Sequence, residues 1–125
     1  MSKEQFLAEN LKPGEIYAGL ILGKDGQPDY HVVLLAAKPD SALNWNDAKA
    51  WATSIGGELP TRREQSVLFA NCREHFESAW YWSGEQYAHD DDYAWMQYFT
   101  NGTQDNGHKS VTYRARAVRR LLIIE

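Results

Sequence analysis

Only one of the 125 residues is a cysteine. Cys72 therefore has no partner for a disulfide within the chain, and no cysteine-based zinc site can be assembled. A disulfide-free chain suits folding in a reducing cytoplasm. Long apolar runs are missing as well: Leu121-Leu122-Ile123-Ile124 is a strand's worth, and nothing approaches the length needed to span a bilayer. The opening Met1-Ser2-Lys3-Glu4-Gln5 has no apolar h-region, so the chain is expected to be made in the cytoplasm without a signal peptide. If it works outside a cell, it leaves by lysis or by a route that reads no such signal. There is no basic excess. The net charge is −4, so no general attraction to nucleic acid is expected. Internal repeats and low-complexity segments are absent.

What remains is one domain over 1–125, large enough to bury a core without staples. The chain is rich in rings for its length, with five Trp and seven Tyr. Such rings either fill a core or furnish a contact surface. The most informative stretch is Gly56-Gly57-Glu58-Leu59-Pro60-Thr61-Arg62-Arg63-Glu64. Two glycines end one helix, because glycine takes the left-handed position after a helix without steric penalty. Pro60 holds Leu59 extended. Thr61 and Glu64 have the Thr-x-x-Glu spacing of a capping box, which starts the next helix.

In chain order, residues 2–11 read as a short amphipathic helix with Phe6, Leu7 and Leu11 on its apolar side, stopped by Lys12-Pro13-Gly14. Residues 1–14 are thus an N-terminal extension, and docking on the core or on a neighbouring subunit are both open to it. Apolar runs at 16–22 and 30–35, joined by a segment with an Asp-Gly turn signal, predict a β-hairpin with His31 as a half-buried strand residue. Asn44 is a preferred N-cap, Asp47 suits the first turn, and Ala48, Trp51, Ala52 and Ile55 recur along one helical stripe. The second helix carries Leu68, Cys72 and Phe76 on one line, so Cys72 reads as a small core hydrophobe; His75 nearby does not make a catalytic dyad with it. Beyond Ser78 the pattern turns to strands and polar loops. Trp80 and Trp82 alternate on one face of a strand over 79–84. Residues 93–99 form a second strand, closed by Asn101-Gly102. Thr103 to Thr112 reads as polar and turn-like, and 113–121 as a final strand.

Several constellations tempt and then fail. Gln27-Pro28-Asp29 and Trp45-Asn46-Asp47 have the oxygen-rich spacing of lectin calcium motifs, but one is a hairpin turn and the other a helix start. His89-Asp90-Asp91-Asp92 is the densest acidic patch, and three adjacent carboxylates on one loop cannot close a calcium shell alone. His108 joins them only if the loops meet. Arg114, Arg116, Arg119 and Arg120 are split by strand alternation between two faces, so they make no single basic stripe. No metal site and no cofactor are expected.

A tryptophan-bearing helix, the Gly-x-Leu-Pro-Thr-x-x-Glu joint, Trp82-Ser83, an aromatic strand ending in Asn-Gly, and Arg116-x-Val118-Arg119 together resemble a known family. The chain is similar, over residues 44–121, to the collagen-like-adhesin (Lcl) C-terminal domain family of phage, prophage and bacterial surface proteins. Trp45, Ala48, Gly57, Leu59, Pro60, Thr61, Glu64, Trp82, Ser83, Ala94, Trp95, Phe99, Gly102, Arg116, Val118 and Arg119 carry the likeness. Two positions depart from the pattern: Gly57-Glu58 stands where the family usually has Trp-Arg, and Ala117 where a Cys is common.

The resemblance implies an α+β, C-type-lectin-like fold, with terminal strands paired, two flanking helices, and long loops between late strands that bind ligands. It also implies scaffold roles for Arg116 and Arg119, with Glu58 or Glu64 as candidate partners. The two loop segments, 85–93 and 103–112, are rich in the aromatic and amide side chains that recognition surfaces favour. The candidate ligand-binding residues are Tyr87, His89, Asp91, Asp92, Tyr93, Gln104, Asn106 and His108. The expectation is a non-enzymatic, phage- or prophage-type binding module for a cell-surface receptor or glycan, virion-associated in that setting, with no nucleic-acid or membrane partner and with room for a homo-oligomer. A structural virion or assembly protein is one alternative. An enzyme of the formylglycine-generating branch is another, although its chemistry needs reactive thiols or copper.

Overall fold

The computed structural model describes residues 2–123. Among them are three α-helices and two three-stranded antiparallel sheets, a mixed α+β architecture. Helix α1 spans Lys3–Asn10, α2 Trp45–Ser54 and α3 Arg62–Cys72; a single 3-10 turn, Arg73–His75, follows α3. Strands β1 (Ile16–Ile21), β2 (Tyr30–Leu34) and β6 (Val118–Leu122) form one sheet in the order β1-β2-β6. Strands β3 (Trp80–Gln86), β4 (Tyr93–Tyr98) and β5 (Gln104–His108) form the other, in sequence order.

The helix ends are set by local chemistry. Asn44 caps α2 by accepting from the Asp47 N–H, and the reciprocal Thr61–Glu64 box opens α3. Of the two glycines between the helices, Gly56 supplies the conformation and Gly57 the space. Gly56 has φ 83°, and Gly57 N–H donates to Ala52 O at 2.9 Å, closing a Schellman turn. A Cβ on Gly57 would lie 2.6 Å from Leu35 Cδ1 and 2.8 Å from Val118 O. That crowding explains why no larger residue stands here. Glu58 then exchanges backbone bonds with Val118 at 3.0 and 2.9 Å, so the joint covers the otherwise open edge of β6.

Two apolar clusters hold the molecule together, and β3 contributes to both. Trp82 and Trp80 face the cluster with Trp45, Ala48, Ala52, Leu59 and Met96, as their shared side of the strand predicts. Tyr81, between them, faces the cluster with Val32, Leu34, Leu68, Cys72 and Phe99. Burying a side chain the size of Trp82 contributes roughly 3 kcal/mol. Neither deep indole is left wanting, since Trp82 Nε1 donates to Leu43 O and Trp45 Nε1 to Ser83 O, each at 2.8 Å. An amide chain ties α3 to the second sheet. Gln65 Nε2 donates to Tyr81 O, Gln97 Nε2 to Gln65 O, and Gln104 Nε2 to both Gln97 Oε1 and Arg62 O.

Five expectations need correction. The segment 103–112 is not a loop: Gln104–His108 is a full strand paired with β4. Likewise Glu85 and Gln86 belong to β3, and Tyr93 begins β4, leaving only 87–92 as an excursion. The final strand is Val118–Leu122, not 113–121; Tyr113 and Arg114 make isolated bridges to Leu43 and Tyr81, and 115–117 is irregular. Helix α3 stops at Cys72, so Phe76 reaches the cluster from beyond the helix, stacked on Phe99 at 4.0 Å. Finally, it is Arg120, not Arg116 or Arg119, that pairs with Glu58 and Glu64. Alternation turns Arg119 to the opposite side of β6, where it meets Glu15 at 2.7 Å.

The N-terminal helix docks on the chain's own first sheet. Phe6 rests on His31 and Tyr17, with ring centroids 4.3 and 5.7 Å apart, and Arg119 donates to Asn10 O. His31 is half-buried and bonded, its Nδ1 2.7 Å from the Tyr17 hydroxyl. No helix among the described residues is long and apolar enough to cross a membrane.

Candidate binding surface

The pleat of β4 decides where the candidate residues go. Ala94 and Met96 turn inward, so Tyr93 and Trp95 turn the other way. Directly opposite partners share a face. The register pairs Tyr93 with His108, Trp95 with Asn106 and Gln97 with Gln104. All three candidate residues of β5 therefore stand on the same face as Tyr93 and Trp95.

Ring contacts extend this face into the 87–92 excursion. Tyr87 sets its edge against Trp95 at 5.2 Å and against His89 at 5.4 Å, while Tyr93 and His108 meet edge-to-face at 5.2 Å. The Arg62 guanidinium lies over the Trp95 ring, 3.5 Å from its centroid, and Arg62 Nε donates to Gln104 Oε1 at 3.0 Å. The excursion is not loose. The Gln86 side-chain amide reaches the carbonyls of Tyr87, Asp90 and Tyr93, and Tyr87 N–H donates to Tyr93 O.

At the far end the surface turns into an open cleft of about 560 Å³ between the start of α2 and the acidic tip. Two backbone bonds hold it: Lys109 N–H donates to Asp92 O, and Trp45 N–H donates to Lys109 O. Asn46, Asp47, Asp91, Asp92 and His108 line the cleft, so the loops do meet, and the Trp-Asn-Asp segment faces the acidic patch. Even so, the described residues include no group of three His, Cys, Asp or Glu side chains placed to hold a metal ion. His108 Nδ1 accepts from the Ser110 N–H at 3.2 Å, with the Ser110 hydroxyl 2.7 Å away. The neutral ring thus carries its proton on Nε2 and presents a donor.

Seven of the eight candidate residues lie on this continuous surface: Tyr87, His89, Asp91, Asp92, Tyr93, Asn106 and His108. Gln104 shares the face, but its amide is consumed by Arg62 and Gln97, which makes it part of the scaffold. Two members were missed. Trp95 could have been found from its two-residue spacing to Tyr93. Arg62 has no local signal, because it arrives from the first turn of α3. Cys72 is fully buried, and burial, with the neighbouring Glu74 adding, pushes its thiol up to about 11. A thiol so placed stays protonated at neutral pH and out of reach.

Compared with known proteins, the chain matches no family model, and no curated protein matches it.

Proposed function

We propose that this chain is a non-enzymatic binding module of phage or prophage type, C-type-lectin-like in fold, whose β3-β4-β5 face takes a cell-surface receptor or glycan. The observation that carries the reading is the row Trp95, Asn106, Tyr93 and His108 on one sheet face, extended by Tyr87 against Trp95. Rings with polar tips alternate there with an amide and an imidazole donor, beside an acidic cleft. Rigid aromatic area and adaptable hydrogen-bonding groups on a stiff frame are what recognition of a polar surface requires. The sheet beneath is fixed by the buried amide chain, so the face is organised before any ligand arrives. The motif resemblance over 44–121 supports the same assignment.

Combined substitution of Tyr87, His89, Asp91, Tyr93 and Asn106 by Ala tests it. Binding to host cells or to a glycan array is expected to disappear, with Tm falling by less than about 5 °C because none of the five is fully buried. Undiminished binding by this variant would refute the assignment.

A further inference from the structure

Arg116 is a buried charge without a counter-charge. It is only 5% exposed, and no carboxylate pairs with it among the described residues. Its terminal nitrogens donate to His75 O at 2.7 Å and Leu35 O at 2.9 Å, two neutral carbonyls. Its Nε is buried and has no hydrogen-bond partner. A buried guanidinium is costly unless paired, and this one is half satisfied.

Arg116 is one of the residues lining a recess of about 100 Å³ between the 38–42 segment, the turn after α3, and Arg114. That is roughly the space of three water molecules, enough for a small planar acid group. The other charges around it nearly cancel. Arg114 is neutralised by Glu77 at 2.9 Å, and the lining residues Lys38 and Asp40 carry opposite charges. One positive charge, that of Arg116, is left over.

We infer that this recess is a binding site for a single carboxylate group, free or carried on a larger ligand, with Arg116 at its floor and Lys38 and Arg114 at its rim. A carboxylate suits it on three counts. Its one negative charge balances the one left over, its flat fork matches a guanidinium, and its size fits the recess. A phosphate dianion would overshoot the charge beside Glu77 and Asp40. The recess shares no residue with the sheet face described above, so the two sites stand or fall separately.

Acetate is the probe, titrated at pH 7 against sodium chloride at constant ionic strength, with the Arg116 Nε–H resonance followed by NMR. Arg116→Lys, which removes that resonance and keeps a charge, identifies it. Acetate is expected to shift the resonance saturably, and acetate at ten times its Kd to raise Tm by roughly 5 °C. The exposed Glu77→Gln, which removes a rim negative charge and frees Arg114, should tighten acetate binding roughly threefold, and Lys38→Ala should loosen it by a similar factor. A resonance that stays still, moves equally with chloride, or responds more strongly to phosphate overturns the assignment. So does a Glu77→Gln protein with unchanged acetate affinity, a result that requires no change at Arg116 itself.

Discussion

Glu64 has no exposed surface, yet its carboxylate stays charged. Burial on its own would raise its pKa. Against that, Arg120 at 2.7 and 2.9 Å, the Thr61 N–H at 2.8 Å and the Tyr30 hydroxyl at 2.7 Å together hold it below the ordinary value of 4.5. The partners respond in the matching sense: Tyr30 is pushed up to about 12, by burial first and by Glu64 second, and Arg120 is raised chiefly by its bonds to Glu64. A folded-state pKa below the unfolded one means that the group's stabilisation is complete above the unfolded value. It is lost as the pH falls through the folded one. Stability measured by urea unfolding should therefore decline below about pH 4.5. Glu64→Gln should flatten that decline and cost about 3 kcal/mol at neutral pH, since it strips a half-buried guanidinium of its main partner. Part of the acid sensitivity should survive in the variant, because Arg119 holds Glu15 low in the same way. An unaltered slope would mean that Glu64 is not the titrating group.

At the scale of elements, the joint between α2 and α3 is a place where a single methyl group has a large expected effect. Gly57→Ala must push Cβ against a backbone oxygen and a packed leucine, neither the loose end of a flexible chain. Its expected cost is about 3 kcal/mol in urea unfolding, the upper range for overpacking; a cost under about 0.5 kcal/mol would show that β6 yields easily. Both helices here were readable from the sequence because caps, glycines and apolar stripes are encoded within a few residues of one another. Strand β5 was not. Gln104-Asp105-Asn106-Gly107-His108 has no apolar alternation, since one face is solvent-facing and the other is closed by Gly107 against Met96 and Tyr113. The candidate surface was legible in its side-chain types but not in its geometry. A face built from Tyr93, Trp95 and Arg62 depends on strand register and on a helix that begins 31 residues before Tyr93, and neither has a local signature.

For the whole molecule, the two sheets share their fillings through β3, whereas α1 stands apart. It buries no residue completely and is held by Phe6 and by the Arg119 bond to Asn10. Removing residues 2–10 should cost no more than about 2 kcal/mol, the worth of one partly covered ring, and should leave binding by the β3-β4-β5 face unchanged. Urea unfolding and the cell-binding assay check both parts; a loss of twice that size would make α1 integral to the domain. The remaining helices and strands have no such independence. Strand β2 sits between β1 and β6, and Glu64 finds Tyr30 34 residues before it and Arg120 56 residues after it. A ribosome-bound nascent chain that stops short of residue 118 has neither the third strand nor the cation that lets Glu64 go under cover. Its hairpin and helices must wait as partners without a closing piece, exposed to whatever else is nearby. The domain can therefore lock shut only after its last strand has emerged into the cell, and its assembly is a late, all-at-once event.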